Sequence, residues 1–240
     1  MPAKRSSSTT SRSRKKKTAR AAPSPPAKET ADAGAGRSRK GQRTRERLLE
    51  AAKEIFEEHG FLNARIADIA VRAAQSHGSF WYYFDSKEEI FRELAAAVDE
   101  RLFAPLDDVI LAESDARTAP ERIREATRRH LESYRREARM MSLIEQVSHY
   151  DAEVNAMRLA RHKRNTERVA ESIRQMQKRR VADPSLDPMV AATALGALTQ
   201  RFAELWFVHG VVDCTLEHGV EQLSRLYENA LQVKAPKKKR

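Results

Sequence analysis

The sequence predicts an all-α protein of about nine or ten helices, and three observations support that prediction. From Thr44 onwards, apolar residues recur at intervals of three and four, which is the period of an amphipathic helix. The strict apolar–polar alternation of a half-buried strand is not found anywhere in the chain. Helix-starting signals, such as Asp187 followed by Pro188, precede several of the periodic segments.

Four helices are predicted between Thr44 and Pro105. The first ends at Gly60, because glycine suits the position that follows a helix. Two short helices follow, and a fourth begins after Ser86, which forms a capping box with Glu89. The apolar positions that define the first, second and fourth helices are Leu48, Leu49, Ala52, Ile55 and Phe56; Ile66, Ile69, Ala70 and Ala73; and Ile90, Phe91, Leu94, Val98 and Leu102.

The helical period continues beyond Pro105. We predict a short apolar piece over 106–111, a loop over 114–120, and one helix with its apolar stripe over 123–134 and another over 140–147. A long helix begins after Asp151, and the last apolar stripe covers 220–231. The helix over 188–208 is apolar on most sides, so it must be covered on most sides.

The positive charge of the chain, +11 in total, lies at its two ends. Residues 1–40 carry 12 Lys/Arg, two acids and no Ile, Leu, Val or aromatic residue, so they are predicted to form a disordered basic N-terminal arm. Residues 232–240 form a basic C-terminal tail with five Lys/Arg and no acid, whereas residues 41–231 carry 28 Lys/Arg and 32 Asp/Glu. The two ends are either nucleic-acid-binding arms or solubilising tails without a specific partner.

Several classes of protein are excluded by what the sequence lacks. One cysteine, Cys214, permits neither an internal disulfide nor a cysteine-based zinc cluster, and the seven histidines show no metal-ligand spacing. A polar, basic N-terminus predicts no signal peptide, and no apolar run is long enough to span a bilayer. No phosphate loop, activated nucleophile or paired catalytic carboxylates are recognisable. We therefore expect a cytoplasmic protein that is not an enzyme and has no metal, cofactor or membrane partner.

The segment SHGSFWYYFDSKEEIF, residues 76–91, concentrates the aromatic side chains of a chain that is 6% aromatic. Two short helices joined by a tight turn have the geometry of a helix-turn-helix over about residues 64–83. Phe80 and Phe84 lie four residues apart and are predicted to enter the core, with Phe91. Because a two-turn helix cannot bury every face, Trp81, Tyr82 and Tyr83 are predicted to set their rings against DNA.

Polar residues of the same segment fit a nucleic-acid interface. Ser76 is the predicted N-cap, Gly78 would let the backbone approach DNA, and Ser79 can bond a phosphate or a base edge. Lys87 is unusual in the first turn of a helix, where the macrodipole favours acids, and a phosphate bound there would explain it. Gln75 reaches an adenine edge or is exposed without a role.

Residues 44–91 resemble the DNA-binding domain of TetR-type transcriptional repressors. The resemblance is carried by Thr44–Ala52 (TRERLLEAA), Ile55–Phe61 (IFEEHGF), Ile66–Ala70 (IADIA) and Gly78–Glu88 (GSFWYYFDSKE), in this order and spacing. It implies a three-helix head over 41–103 and a helical domain over 104–231 that dimerises and encloses a small-molecule pocket. It also implies a homodimer that reads a palindromic operator in double-stranded DNA and releases it on binding an effector.

The resemblance assigns roles by position. Phosphate and base contacts fall on Ser79, Trp81, Tyr83 and Lys87, a base-reading site on His77, and a backbone contact on Arg45. The chain departs from the family pattern at Ala74, where glycine is usual, and at Gln75, where an apolar residue is usual. Arg65 replaces a capping threonine and brings a cation to the expected phosphate, with Asn63 as the alternative cap.

The charge of the predicted head raises the importance of the arm. Residues 41–103 hold nine Lys/Arg and 12 Asp/Glu, with the basic residues clustered at the entry around Arg43 and Arg45. Since phosphate neutralisation dominates DNA affinity, we predict that the N-terminal arm supplies a large part of binding.

A ligand pocket is the least specific prediction. Five residues are its candidates, and ordinary core is the alternative for each: Tyr134, Met141, Ile144, Phe202 and Trp206. Arg201 pairs with Glu204 or meets an acidic ligand group. The run Arg201–Trp206 resembles TetR-type regulators of lipid and steroid breakdown, which implies an apolar or acyl-CoA-like effector. The rival function is a non-specific architectural DNA-binding protein driven by its basic tails.

Overall fold

A computed structural model describes residues 39–106, 109 and 117–234. Within this part of the chain every regular element is helical, which confirms the predicted all-α class. The eight α-helices are α1 (Arg39–Asn63), α2 (Ile66–Arg72), α3 (His77–Tyr83), α4 (Lys87–Phe103), α5 (Ala119–Ser148), α6 (Ala152–Lys178), α7 (Pro188–Phe207) and α8 (Leu216–Ala230). A short 3₁₀ helix, Ala104–Leu106, follows α4. Residues 1–38 of the predicted arm, 235–240 of the predicted C-terminal tail, and 107–108 and 110–116 lie outside the described residues, whereas Arg39 and Lys40, predicted as the end of the arm, begin α1.

Two predicted helices are a single one in the structure. The apolar stripes over 123–134 and 140–147 both belong to α5, which runs without a break from Ala119 to Ser148. The joining residues, 135–139, contain neither glycine nor proline, so nothing in them ends a helix. This correction accounts for part of the difference between the predicted and observed number of helices.

The predicted starts and stops are mostly confirmed. Gly60 has a φ of 74° and interrupts α1, so a single kinked turn to Asn63 follows it. Asp187 caps α7 through bonds from the Met189 and Val190 N–H groups, at 2.8 and 2.9 Å. The box at Ser86 is only half formed, because the Glu89 carboxylate accepts from the Asp85 N–H and not from the cap residue itself.

Two apolar clusters hold the helices together. The larger joins α1–α4 to α5 and includes Phe56, Phe61 and Phe91, whose ring centroids lie 4.9–5.6 Å apart. The smaller lies between α6, α7 and the residues after α8, around Ile173 and Leu195. The helices of the predicted head therefore share one core with the first long helix of the predicted C-terminal domain.

Helix α4 is also tied to its neighbours by charge. Buried Glu137 on α5 accepts from Arg101 of α4 at 2.6 Å and from Lys53 of α1 at 2.9 Å. Burial alone would raise the pKa of Glu137, and the hydrogen bonds from Arg101 and Lys53 bring it below its usual value. Glu137 thus links the predicted head, through α1 and α4, to α5.

Helix α7 is not covered on all sides, contrary to the sequence prediction. Its buried face carries Ala192, Leu195, Thr199 and Ala203. On the other side, Val190 is 67% exposed and Leu198 is 40% exposed. Within one chain the apolar helix therefore keeps an uncovered apolar face. None of the described helices is both long and apolar enough to cross a membrane.

Candidate nucleic-acid interface

The turn between α2 and α3 is fixed by its backbone. Ala74 has a φ of 52°, in the left-handed region, and its N–H donates to the Val71 carbonyl at 3.0 Å. The Gln75 N–H then donates to the Ala70 carbonyl at 2.9 Å, which closes the end of α2. Ser76 starts α3 by accepting from the Ser79 N–H at 3.1 Å, as predicted. The two short helices are therefore joined with the compactness of a helix-turn-helix.

The left-handed alanine gives a testable stability difference. Replacing Ala74 with glycine removes the steric cost of a Cβ in this region, about 1–2 kcal/mol, and adds a smaller entropic cost in the unfolded chain. We expect Ala74→Gly to raise the free energy of unfolding by about 0.5–1 kcal/mol, measured by urea titration. Ala67→Gly, an exposed position inside α2, is the control and should be destabilising. A destabilised Ala74→Gly protein would contradict the turn geometry.

The start of α2 corrects a capping prediction. Arg65 is the N-cap residue, with extended backbone and no capping bond from its side chain. Asn63 does not replace it, because its Nδ2 donates back to the His59 carbonyl at 3.3 Å within α1. The first turn of α2 therefore lacks a side-chain cap from either of the two candidate residues.

The aromatic side chains of α3 divide between core and surface. Phe80 and Phe84 are fully buried, 5.6 Å apart between ring centroids, which confirms the predicted anchors, and Phe91 is fully buried as well. On the outer side, Tyr82 is 76% exposed and Trp81 is 43% exposed. Tyr83 is half-buried and packs against the core. The helix thus presents two large rings to its surroundings, while their contact with DNA stays a prediction.

Two side-chain pairs preorganise the polar groups of α3. The Trp81 Nε1–H donates to Nε2 of His77 at 3.0 Å, so both candidates are held on one exposed ridge. Gln75 accepts from the Ser79 hydroxyl at 3.3 Å and donates to the Ala74 carbonyl at 2.9 Å. The Gln75 amide therefore stabilises the turn, and it would lose these two hydrogen bonds if it turned outward to a base.

Lys87 has a structural role that the sequence did not reveal. Its ammonium donates to the carbonyls of Phe61, Ala64 and Leu62, at 2.7, 3.1 and 3.3 Å. It also lies 4.6 Å from the centre of the Phe61 ring. The C-terminal end of a helix leaves carbonyls without partners, and a cation is favourable there. Lys87, although it lies at the start of α4, binds the free carbonyls at the end of α1, which explains its position. The phosphate contact stays a prediction, and it would compete with these three bonds.

The cations of the head differ in how far they are neutralised. Arg45 forms a two-point ion pair with Glu93 and lies 4.9 Å from the Phe84 ring centre, so it joins α1 to α4. Arg72 is paired with Glu54 and Glu58, both at 2.8 Å. Lys53, Arg92 and Arg101 also pair with carboxylates.

Two of the predicted DNA-binding residues have no carboxylate partner within the described part of the chain. Arg43 and Arg65 are exposed and form no ion pair with another described residue. They lie at the entries of the head, near the beginning of α1 and of α2. Arg47 is likewise exposed and without an ion pair to a described residue, whereas most other cations of the head lie against carboxylates.

The five predicted pocket residues lie in packed surroundings. Tyr134, Met141 and Ile144 are buried in α5, and burial raises the pKa of the Tyr134 hydroxyl. Trp206 stacks on Phe207 at 4.4 Å, and a Cβ on Gly219 would approach the Trp206 ring to 2.5 Å. None of the five lines the cavity between α4 and α6 or a second, smaller cavity around Ala138 and Phe207. Arg201 pairs with Glu204 at 2.7 Å, the first of its two predicted alternatives.

The larger of these two cavities is lined by none of the predicted site residues. It occupies about 730 Å³ between α4 and α6, and Asp99 and Arg161 face each other in it. Arg161 is 3% exposed and donates from Nη1 to Asp99 Oδ1 at 2.5 Å. Burial raises the pKa of Asp99, although Arg161 and Arg164 lower it. One signal in the sequence could have revealed this site. Arg161 follows Val154 by seven residues and therefore lies on the buried face of α6, where a charged residue is unusual.

Metal chemistry finds no support in the described part of the chain. No group of three or more His, Cys, Asp or Glu side chains lies close enough there to hold an ion.

Comparison with known proteins agrees with this geometry. The family model described as bacterial regulatory proteins, tetR family, matches residues 48–94, which cover α2, α3, most of α1 and about the first half of α4. The chain is 38% identical over 72 residues to the uncharacterized HTH-type transcriptional regulator YdgC of Bacillus subtilis, a match that covers 30% of this chain and 37% of YdgC. It is 28% identical over 160 residues to the HTH-type transcriptional regulator UidR of Escherichia coli, covering 67% of this chain and 80% of UidR.

The same fold is found among solved structures. The fatty acid degradation regulator FadR of Bacillus halodurans superposes with a TM-score of 0.64 at 16% identity, over 80% of this chain and 97% of that one. Because the identity is low, the superposition shows a shared helical fold. The long helices α5–α8 are thus arranged as in the neighbour, not only the short ones that carry the motifs.

Proposed function

Because the chain belongs to the TetR family of bacterial regulatory proteins, we propose that this DNA-binding regulator acts as a repressor that binds a palindromic operator as a homodimer. One observation carries the proposal: α3 keeps Trp81 and Tyr82 outside while Phe80 and Phe84 anchor it from behind. Two large rings exposed at consecutive positions of a seven-residue helix are available to stack on a partner. Duplex DNA fits that partner, since a protein helix enters its major groove.

The dimer is supported by the uncovered face of α7. Val190 and Leu198 are exposed there, and Leu226 of α8 is 50% exposed. Apolar side chains repeated along one helix face are expected to be covered by another surface, and a two-fold contact buries the same patch on both chains. Sedimentation analysis of the full chain should therefore give twice the mass of one chain.

The proposed regulator responds to a small molecule and works in the cytoplasm, in contact with the nucleoid. Genes of lipid or steroid breakdown are its proposed targets. Support for them comes from the Arg201–Trp206 run and from the shared fold with a regulator of fatty acid degradation. No catalytic role is proposed, because the matched family is one of regulatory proteins and no catalytic constellation is recognised among the described residues.

A footprint on the DNA that flanks its own gene tests the proposal. A repressor is expected to protect a palindromic site and to bind it about a thousandfold more tightly than unrelated DNA of equal length. The rival, an architectural protein driven by basic tails, predicts equal affinity for both. Equal affinity at physiological salt would refute the repressor.

Gly78 provides a sharper test of the interface. It lies inside α3 with an ordinary helical φ, and a Cβ there would have Ser76 Oγ, 4.0 Å away, as its nearest contact. Nothing within the protein requires a glycine, so Gly78→Ala should stabilise α3 by about 1 kcal/mol or less. If α3 lies against DNA, the added methyl group should weaken operator binding about tenfold or more. Fluorescence anisotropy measures the affinity, and thermal unfolding measures the stability.

The control for Gly78→Ala is Gly196→Ala. Gly196 also lies inside a helix, α7, with open space around it in one chain, but far along the sequence from the head. The Gly196→Ala variant should bind the operator normally unless the substitution alters dimer formation, which sedimentation analysis detects. A Gly78→Ala protein that binds the operator as well as the unchanged chain would contradict the placement of α3.

A further inference from the structure

We propose that the cleft between α4 and α6 binds a small organic monocarboxylate, with its carboxylate on Arg161 and its apolar part against Phe103 and Met157. The inference rests on the proposed function, because it names the chemical class of the effector. It differs from the predicted pocket, whose candidates lie in the packed core. It also differs from the acyl-CoA-like effector that the resemblance implies.

The size and walls of the cleft suit such a ligand. Its volume of about 730 Å³ lies within the range of sites that take small organic molecules. Phe103 and Ala96 on α4, with Met157 and Ala160 on α6, give it apolar surface on both sides. An apolar ligand body could therefore be sandwiched between the two helices.

Arg161 indicates the polar end of the ligand. Its guanidinium is almost fully buried, and Nη1 is directed to Asp99 and lies 3.9 Å from Met141 Sδ. Its Nε and Nη2 atoms donate to none of the described residues, and neither atom is fully enclosed, so both remain partly accessible. A buried guanidinium is costly unless its N–H groups have acceptors. The Nε–Nη2 edge is the one that binds a planar carboxylate through two parallel hydrogen bonds.

The charges around the cleft favour a single negative charge on the ligand. Its lining contains three guanidinium groups and four carboxylates, those of Arg161, Arg164, Arg168, Asp99, Glu100, Glu167 and Glu171. A phosphate dianion or a polyanionic thioester would bring two or more charges into a lining that is already slightly negative. A monocarboxylate adds only one negative charge, and that charge would lie on the Nε–Nη2 edge of Arg161.

Calorimetry on the full chain without DNA tests the proposal. The probes are octanoate, octan-1-ol and octyl phosphate, which share one chain length and differ in head group. Octanoate is expected to bind at least about tenfold more tightly than either of the others, the effect of a two-point charged hydrogen bond. Octan-1-ol or octyl phosphate binding as tightly as octanoate, or no octanoate binding, would overturn it.

Variants locate the binding. Arg161→Lys keeps a cation for Asp99 but loses the two-point edge, and it should weaken octanoate about tenfold. Ala160→Leu fills the cleft and should weaken it by a similar factor or more, whereas Ala156→Leu, one turn earlier on an exposed position outside the cleft, should stay within about twofold. Equal losses in the two leucine variants would place the ligand elsewhere and refute the proposal.

The outcome is separable from that of the proposed function. Operator binding is measured without octanoate, and calorimetry is measured without DNA. A chain that binds its operator but not octanoate keeps the proposed function and loses this inference. A chain that binds octanoate in the cleft but no operator loses the proposed function alone.

Discussion

Deletion of residues 1–36 is expected to lower operator affinity about a hundredfold at physiological salt and to make its salt dependence markedly shallower. These residues hold nine Lys/Arg and two acids. Each phosphate that a cation neutralises contributes roughly 0.9 to the slope of log affinity against log salt concentration. If the arm lies along DNA, the slope should therefore fall by several units in the dimer.

The structure strengthens this expectation through what it shows of the head. Arg45, Arg72 and Arg101 are all engaged with carboxylates, and Lys87 is engaged with three carbonyls. Cations that are paired within the head are less available to bind DNA phosphates. The arm, which lies outside the described residues, is then the main source of positive charge on the N-terminal side.

The measurement is the salt slope of operator binding from about 50 to 200 mM salt, for the full chain and the deletion. Removal of residues 235–240, with four Lys/Arg, is the control for loss of charge at the other end of the chain. It should change the slope less. An unchanged slope after deletion of 1–36 would show that the arm is only a solubilising tail.

Helical phase explains why much of the fold could be predicted. Phe80 and Phe84 lie four residues apart, so they share a face whatever the rest of the protein does. Ser76 and Asp187 each accept a hydrogen bond from the backbone N–H three residues later. Every helix start leaves such N–H groups unpaired. Local rules of this kind need no knowledge of the tertiary structure, and they hold here.

Long-range polar partners could not be predicted in the same way. Arg45 meets Glu93 from 48 residues away, and Arg161 meets Asp99 from 62 residues away. A helical period shows that a charged residue is exposed or buried, but it does not identify the opposite charge. Lys87 illustrates this limit. The unfavourable macrodipole at the start of α4 suggested a bound phosphate, but it could not show that three carbonyls at the end of α1, more than 20 residues away, accept from the ammonium.

The packed surroundings of the predicted pocket residues could not be foreseen for a related reason. Large apolar residues at helical spacing are the material of a packed core and of a ligand pocket alike, and Trp206 against Gly219 belongs to the first. A cavity arises where two helices do not fill the space between them. That depends on the separation of α4 and α6, which no single stretch of sequence contains.

Two neighbouring aromatic residues of α3 should separate stability from DNA binding. Phe80→Ala should lower the free energy of unfolding by about 3–5 kcal/mol, because it leaves a cavity in the core where Phe80 contacts Phe84. Tyr82→Ala, two residues on, removes a ring that is 76% exposed and should change stability by about 0.5 kcal/mol or less. Urea titration of both variants measures the difference.

For operator binding by the folded protein, Tyr82→Ala should have the larger effect and Phe80→Ala the smaller. Losing one specific contact costs roughly 1–3 kcal/mol, about tenfold in affinity, and a dimer carries the loss in both heads. Tyr82→Ala should therefore bind the operator about a hundredfold more weakly while remaining as stable as the unchanged chain. Exposed Leu62, 74% accessible on the last turn of α1, provides the control through Leu62→Ala. Equal operator affinity for Tyr82→Ala and Leu62→Ala would mean that the exposed rings of α3 face something other than DNA.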